Sequence, residues 1–229
     1  MRVELIAQTR VEWTTTDQYL SNEYDATDAD FLSEFGGREC YQSWSRPNPE
    51  TADTHDYVQK NLIDKQHFSV LEHGSVTFRI SDVSRSFTHE VVRHRHQSPS
   101  QLSQRYVPRN KMTLAIHPTL ALEGMGEVLI AVWEGCIRAY DQIEAELLNR
   151  GYSVKAAREA AREVLPNATG TVIILTGNHR AWREFIEKRM SPHADKQIAF
   201  VAAEILEQLR AVAPAIYSDI PDVDLRERS

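Results

Sequence analysis

Apolar residues recur along this chain with two periods, and the change from one to the other marks out its elements. From 75 to 80 every second residue is apolar: Val76, Phe78 and Ile80 lie to one side, and Ser75, Thr77 and Arg79 to the other, which predicts a half-buried strand. Residues 2–7 alternate well enough for a first strand, 169–176 is rich in β-branched side chains, and 112–116 fits a short strand before His117-Pro118. Elsewhere the spacing is helical. The strongest pattern runs over 126–150, where Leu129, Val132, Trp133, Cys136, Ile137, Tyr140, Ile143 and Leu147 form a stripe closed by Gly151. Further helices are predicted over 28–41 with Asp28 as cap, from 51 or 54 to 65, over 83–95, over 155–164 before Pro166, from Gly177-Asn178 to about 190, and over 193–212 with Pro214 beyond. Pro47-Asn48-Pro49 stops the first of these. Residues 66–73 read as a turn of helix entering a loop, 93–106 as a loop broken by Pro99, and 9–19 fits neither period.

The length of 229 residues fits one large domain or two small ones; with no repeat, low-complexity tract or linker, one domain over 1–218 is favoured, and 219–229 is expected to be a loose tail. Hydrophobic residues at 41% and charged residues at 26% suit a globular protein rather than a disordered one. No apolar run has membrane-spanning length and MRVELIAQTR lacks a signal-peptide core, so a cytoplasmic protein with no membrane partner is expected. Cys40 and Cys136 show no metal-type spacing and read as reduced, structural thiols. The net charge of -7 argues against a nucleic-acid partner. That charge is uneven: from 79 to 111 seven basic residues face two acids, a local balance of 7 − 2 = +5. A basic site in an acidic protein suits a small anionic ligand.

The basic region centres on 93–106, Arg-His-Arg-His-Gln-Ser-Pro-Ser-Gln-Leu-Ser-Gln-Arg-Tyr, where only Pro99 and Leu102 lack a side-chain donor or acceptor. Lysine and glutamate, the usual solvated-surface residues, are missing from it, and arginine is the side chain that forks onto phosphate. Duller or competing chemistries fit less well. His89-Glu90 and His94 approach the zinc motif H-E-x-x-H, but a spacing of five turns the imidazoles about 140° apart on a helix, and no metal site is expected. Ser98, Ser100 and Ser103 have no nucleophile-elbow context, and Gly124-Met125-Gly126 lacks the third glycine of a dinucleotide loop. A salt-bridged helix end would carry interspersed acids. What remains is an arginine-built pocket: Arg93, Arg95 and Arg105 for phosphate or an anionic ring, and Gln101, Ser103 and Gln104 for the polar edge of a base. The theme returns at 177–189, where Asn178, Trp182, Phe185 and Arg189 share one helical face and Arg180 and Glu184 another.

Arg93-His94-Arg95 followed by Ser103, the run Gln101 to Tyr106, Leu71-Glu72-His73 upstream and Asn178-His179-Arg180 with Arg189 downstream resemble the flavin-dependent thymidylate synthases, over roughly 66–108 and 165–214. The resemblance implies an α+β subunit with a central antiparallel sheet flanked by helices, assembled as a homotetramer with ligand sites where subunits meet. It implies conversion of dUMP to dTMP, with 5,10-methylenetetrahydrofolate as one-carbon donor and NADPH as reductant acting through FAD. By the same match FAD falls to Ser69, Arg93, His94, Arg95, Gln101, Asn178, His179, Arg180 and Glu184, and dUMP to Glu90, Val91, Val92, Arg93, Gln101, Leu102, Ser103, Gln104, Arg105, Arg162 and Arg189. His73 is assigned to folate access and Arg189 to catalysis, its guanidinium stabilising charge at uracil N3 and O4 so that C5 can attack the methylene. No cysteine falls in either motif, in keeping with a route that needs no thiol adduct. Glu184 departs from the family, which commonly has asparagine or histidine there; a carboxylate accepts a hydrogen bond but repels a pyrophosphate. The alternative is a non-catalytic nucleotide- or RNA-binding module on the same arginines, against which stand the acidic charge and the lack of stacking aromatics in 93–104.

Overall fold

A computed structural model describes residues 1–16, 26–46, 48–223 and 225. Four antiparallel strands, β1 (Arg2–Gln8), β2 (Ser75–Ser84), β3 (Gln97–Gln101) and β4 (Gly170–Asn178), form one sheet in the order β1-β2-β4-β3. The helices are α1 (Trp13–Thr16), α2 (Asp28–Tyr41), α3 (Thr54–Tyr57), α4 (Arg85–Val91), α5 (Pro118–Leu122), α6 (Gly126–Asn149), α7 (Val154–Ala161), α8 (His179–Arg189), α9 (Lys196–Val212) and α10 (Pro214–Tyr217). The protomer is therefore α+β, with its core on one face of the sheet. Val76, Phe78, Ile80, Ile173 and Leu175 point into that core against Phe87 of α4, Trp182 and Phe185 of α8 and Ile198 and Ile205 of α9. On the opposite face Thr77, Arg79 and Thr176 are half-buried and Ile174 is exposed.

Local chemistry accounts for the boundaries. Thr27, Ser84, Asn178 and Asp195 each cap a helix by accepting a backbone N–H, which satisfies donors that a helix start leaves open. Strand β2 outlasts the predicted alternation because Asp82 takes φ 56 at a bulge between Ser81 and Val83, which resets the parity and buries Val83. The helix predicted over 83–95 is shortened accordingly to Arg85–Val91.

Other differences have similar causes. Residues 97–101, predicted as loop, are the edge strand β3: their serines, proline and glutamines have little strand preference, and the ladder to β4 holds them. The strand predicted at 112–116 is a single bridge, Leu114 to Thr169. Strand β4 runs through Asn178, so α8 starts at His179, and the last long helix starts at Lys196. The predicted helix over 51/54–65 is α3 continued by a wider turn over Val58–Ile63. Part of 9–19 and Pro47 lie outside the described residues.

Within the segment expected to be a loose tail, Arg183 grips the Asp219 carboxylate with two hydrogen bonds of 2.7 Å, and Leu225 is buried. The helix α6 is where the sequence places it, but its stripe is not core: Tyr140 is its one buried residue, Val128 and Val132 are exposed, and it packs on α7 rather than on the sheet.

Candidate active site

The C-terminal ends of α4 and α8 meet beneath the signature. Two tight turns leave α4, Arg93 N to Glu90 O at 3.3 Å and His94 N to Val91 O at 2.9 Å. His94 meets Phe185 of α8 edge-on, with centroids 4.8 Å apart. Arg189, in the last turn of α8, closes the cluster. Its Nε donates to His94 Nε2 at 2.8 Å, Nη1 to Glu90 Oε2 at 2.6 Å and Nη2 to the Glu90 carbonyl at 2.8 Å.

An N–H donating to Nε2 requires a neutral imidazole with its proton on Nδ1. The surroundings enforce this state: burial first, then Arg189 and Lys188, push the His94 pKa down to about 4 against the smaller opposing effect of Glu184 and Glu90. A guanidinium has five N–H groups. Among the described residues three are used here, so two remain, one on each terminal nitrogen, on a side chain 15% exposed. Arg189 is thus a fixed cation with an open edge. Arg93 and Arg95 stand exposed beside it and make no ion pair among the described residues. Val91 is buried in the core and Val92 exposed.

The start of α8 forms a second wall. Asn178 Oδ1 accepts from Ala181 N at 2.8 Å, and His179 N donates to Gly74 O at 3.0 Å. The His179 imidazole turns inward, 1% exposed, to Tyr217 Oη at 3.0 Å, and burial pushes its pKa down to about 4. A Cβ on Gly74 would lie 2.8 Å from this ring, so the glycine permits the packing. Within the protomer the imidazole braces α8 against α10. Arg180 is exposed, pairs with Glu72 at 2.5 Å, and with Ser69 lines a cleft of about 760 Å³. Glu184 is bonded to Lys188, which holds its carboxyl below the usual range, and with Arg180 it lines a second cleft of about 620 Å³. Arg180 and Arg189 are separated along α8 by roughly 13 Å. His73 is exposed beside Gly36.

The third wall follows β3. Gln101 Nε2 donates to Thr88 at 3.0 Å and Thr171 at 3.4 Å, and Leu102 N to Val172 O at 3.0 Å. Ser103 opens a turn, its carbonyl accepting from Tyr106 N at 3.2 Å and Val107 N at 3.0 Å. Gln104 is buried with its Nε2 unpartnered among the described residues, and Arg105 reaches Glu159 at 3.4 Å. Arg162 follows α7 near Arg85, one of the seven basic residues of 79–111 but assigned to no ligand by the sequence; burial first and then Arg162 lower the Arg85 pKa. Two guanidiniums set close together favour an anion between them. A further omission is Gln97, legible only once 97–101 is read as a strand, where Gln97, Pro99 and Gln101 alternate with Ser98 and Ser100. Glu90, His94 and Arg189 are therefore in contact, whereas Ser69 and Arg180 line a different cleft from His94 and Arg95.

Comparison with known proteins bears on these walls. The family described as Thymidylate synthase complementing protein matches residues 24–215. A flavin-dependent thymidylate synthase of Mycobacterium marinum is 46% identical over 243 residues, covering 100% of this chain and 93% of the relative. The enzyme of that name from Mycolicibacterium gilvum is 49% identical over 235 residues, covering 96% and 89%, and that from Mycobacterium tuberculosis is 46% identical over 233 residues, covering 96% and 89%. A match across most of the chain, with relatives nearly half identical from end to end, makes this chain an enzyme that belongs to the flavin-dependent thymidylate synthase family.

Proposed function

We propose that this enzyme converts dUMP to dTMP, taking the one-carbon unit from 5,10-methylenetetrahydrofolate and reducing equivalents from NADPH by way of FAD. The observation that carries the reading is Arg189, a guanidinium fixed by Glu90 and neutral His94 with two N–H groups open. Such a group is oriented before charge develops, which is what stabilises a transition state. Placed against uracil N3 and O4, it draws charge away from the ring nitrogen as C5 attacks the methylene carbon. Arg105 and Arg162 supply cations for the nucleotide phosphate, with Ser103 and Gln104 beside them.

The residues present fit a flavin. Among the described residues Arg93 and Arg95 have no ion-pair partner and buried amide groups lack hydrogen-bond partners, and Arg180 borders a cleft that also offers Ser69. These residues, with His94, Gln101 and Asn178, would hold it. Glu184, kept as a carboxylate by Lys188, suits a ring or ribose donor rather than the pyrophosphate. Bound flavin supplies the reducing equivalents that convert the transferred methylene to a methyl group. His73 borders the approach for the folate.

A homotetramer with sites between subunits is supported by the exposed stripe of α6, by the half-exposed sheet face, and by walls that line separate clefts in one protomer. No described helix is long and apolar enough to cross a membrane. A reaction on free nucleotides and folates supports a cytoplasmic enzyme. The purified protein should be yellow, and NADPH oxidation should rise on addition of dUMP. Protein that takes up no FAD and oxidises NADPH no faster with dUMP overturns the reading.

A further inference from the structure

The edge strand β3 places Gln97 opposite Gly177 of β4. Gln97 is 8% exposed, and among the described residues neither its Oε1 nor its Nε2 has a hydrogen-bond partner. Its Cγ lies 3.3 Å from where a Cβ on Gly177 would stand, so the missing side chain there admits it beside Trp182. The indole N–H does not serve it, being committed to Val76 O at 3.1 Å. Nor does the neighbouring imidazole nitrogen Nε2 of His94, which already accepts from Arg189. A buried amide with nothing to bond loses its hydration without compensation.

Gln97 lines a small cavity of about 150 Å³ together with Val92, His94, Arg95, Pro99 and Leu175. The other walls are apolar except at the arginine and the histidine, and the unpartnered carboxamide of Gln97 carries a donor and an acceptor side by side. A carboxylate or phosphate would use the donor and be repelled by the acceptor. An imide edge, C(=O)–N–H, satisfies both at once. Flat rings carrying such an edge also suit aliphatic walls such as Val92, Pro99 and Leu175.

We infer that Gln97 is a ligand-binding residue whose carboxamide pairs with the imide edge of a heteroaromatic ring, an edge that isoalloxazine and uracil share. The inference rests on the reading under Proposed function. Its test is Gln97→Leu in the full chain, with Gln97→Met as a second variant of similar volume, measuring FAD and dUMP affinities separately alongside Tm. Loss of two hydrogen bonds weakens one ligand roughly tenfold. If FAD weakens and dUMP does not, with a shift in the visible absorption band of the bound flavin, the edge is the flavin's. If dUMP alone weakens, the edge is uracil's. In either case Tm stays at or above that of the unsubstituted protein, because the substitution removes an unpaired buried amide. Unchanged affinities in both variants overturn the inference, as does a lowered Tm with both ligands weakened together, which marks a packing role. If the unsubstituted protein binds neither FAD nor dUMP, the proposed function itself fails, an outcome distinct from a substitution without effect.

Discussion

Two arginines in this protein each donate three hydrogen bonds and each hold a glutamate, yet they do different things. Arg38 of α2 bonds Glu34 at 2.5 Å, Ser43 O at 3.1 Å and Thr51 O at 2.7 Å, and lies 4.3 Å over the Tyr57 ring. Its partners come from several segments that wrap it, it is 2% exposed, and Glu34 is buried with it and receives Thr54 Oγ1 at 2.6 Å. Arg189 takes two of its three acceptors from one residue, Glu90, whose side chain is 45% exposed. The first guanidinium is enclosed and ties the chain together. The second is gripped from one side, which leaves an edge for a ligand. Burial of the partner carboxylate, rather than the number of hydrogen bonds, separates architecture from function here.

The largest expected effect tests the enclosed pair. Arg38→Ala leaves the Glu34 carboxylate buried without its main partner, and breaking such a pair costs about 3–5 kcal/mol. Urea unfolding should show that loss. A change under about 1 kcal/mol would mean Arg46, 3.5 Å from Glu34, takes over, and the contrast with Arg189 would fail.

Next comes Arg189→Ala. Glu90 is half-exposed and is solvated when released, so stability should change by less than about 1 kcal/mol. Turnover should fall by roughly 10²–10³-fold, the usual consequence of losing one preorganised charge-stabilising group, while FAD absorbance persists. Near-normal single-turnover dTMP formation would remove Arg189 from catalysis.

The contrast also explains what could be read from the chain alone. Arg93 to Tyr106 stands out because arginine, histidine and glutamine without neutralising acids make poor ordinary surface, and Asn178 to Arg189 because it repeats the arginine theme on the faces of one helix. The junction of Glu90, His94 and Arg189 does not, since it joins residues 95 and 99 positions apart and depends on two helix ends converging. Alternation revealed β2 as far as Ile80 but not past the bulge at Asp82, where parity reverses. The β3 strand has almost no local preference for its conformation and exists through its ladder to β4. Periodicity located α6 and its stripe but not what the stripe meets, because an apolar face shows that something covers it, not whether the cover lies in the same chain.

A smaller effect separates the two regions by pH. His94 titrates at about 4 in the native protein against 6.5 for a free imidazole, and buried His179 shifts the same way. Below 6.5 the unfolded chain takes up protons that the native chain refuses until about 4, so stability is full above 6.5 and declines as pH falls through that window. Unfolding midpoints measured from about pH 7 to about pH 5 should fall, and His94→Asn should flatten part of the slope. An unchanged slope in that variant would show that His94 is already protonated in the native state, which would break its bond from Arg189 Nε–H.

The smallest expected effect concerns Arg180, the least enclosed of the arginines holding a glutamate in this comparison. It and Glu72 are 53% and 46% exposed at 2.5 Å, and such a pair contributes at most about 1 kcal/mol. Glu72→Gln should therefore leave Tm nearly unchanged. It also frees a cation at the mouth of the cleft that contains Ser69, so an anionic ligand should bind slightly more tightly at low salt, with the gain screened away once the Debye length falls to about 8 Å near physiological ionic strength. Weaker FAD binding at every salt concentration would instead mean that Glu72 holds Arg180 in its binding pose, as Glu90 holds Arg189. The salt dependence thus distinguishes a carboxylate that competes with the ligand from one that positions the arginine for it.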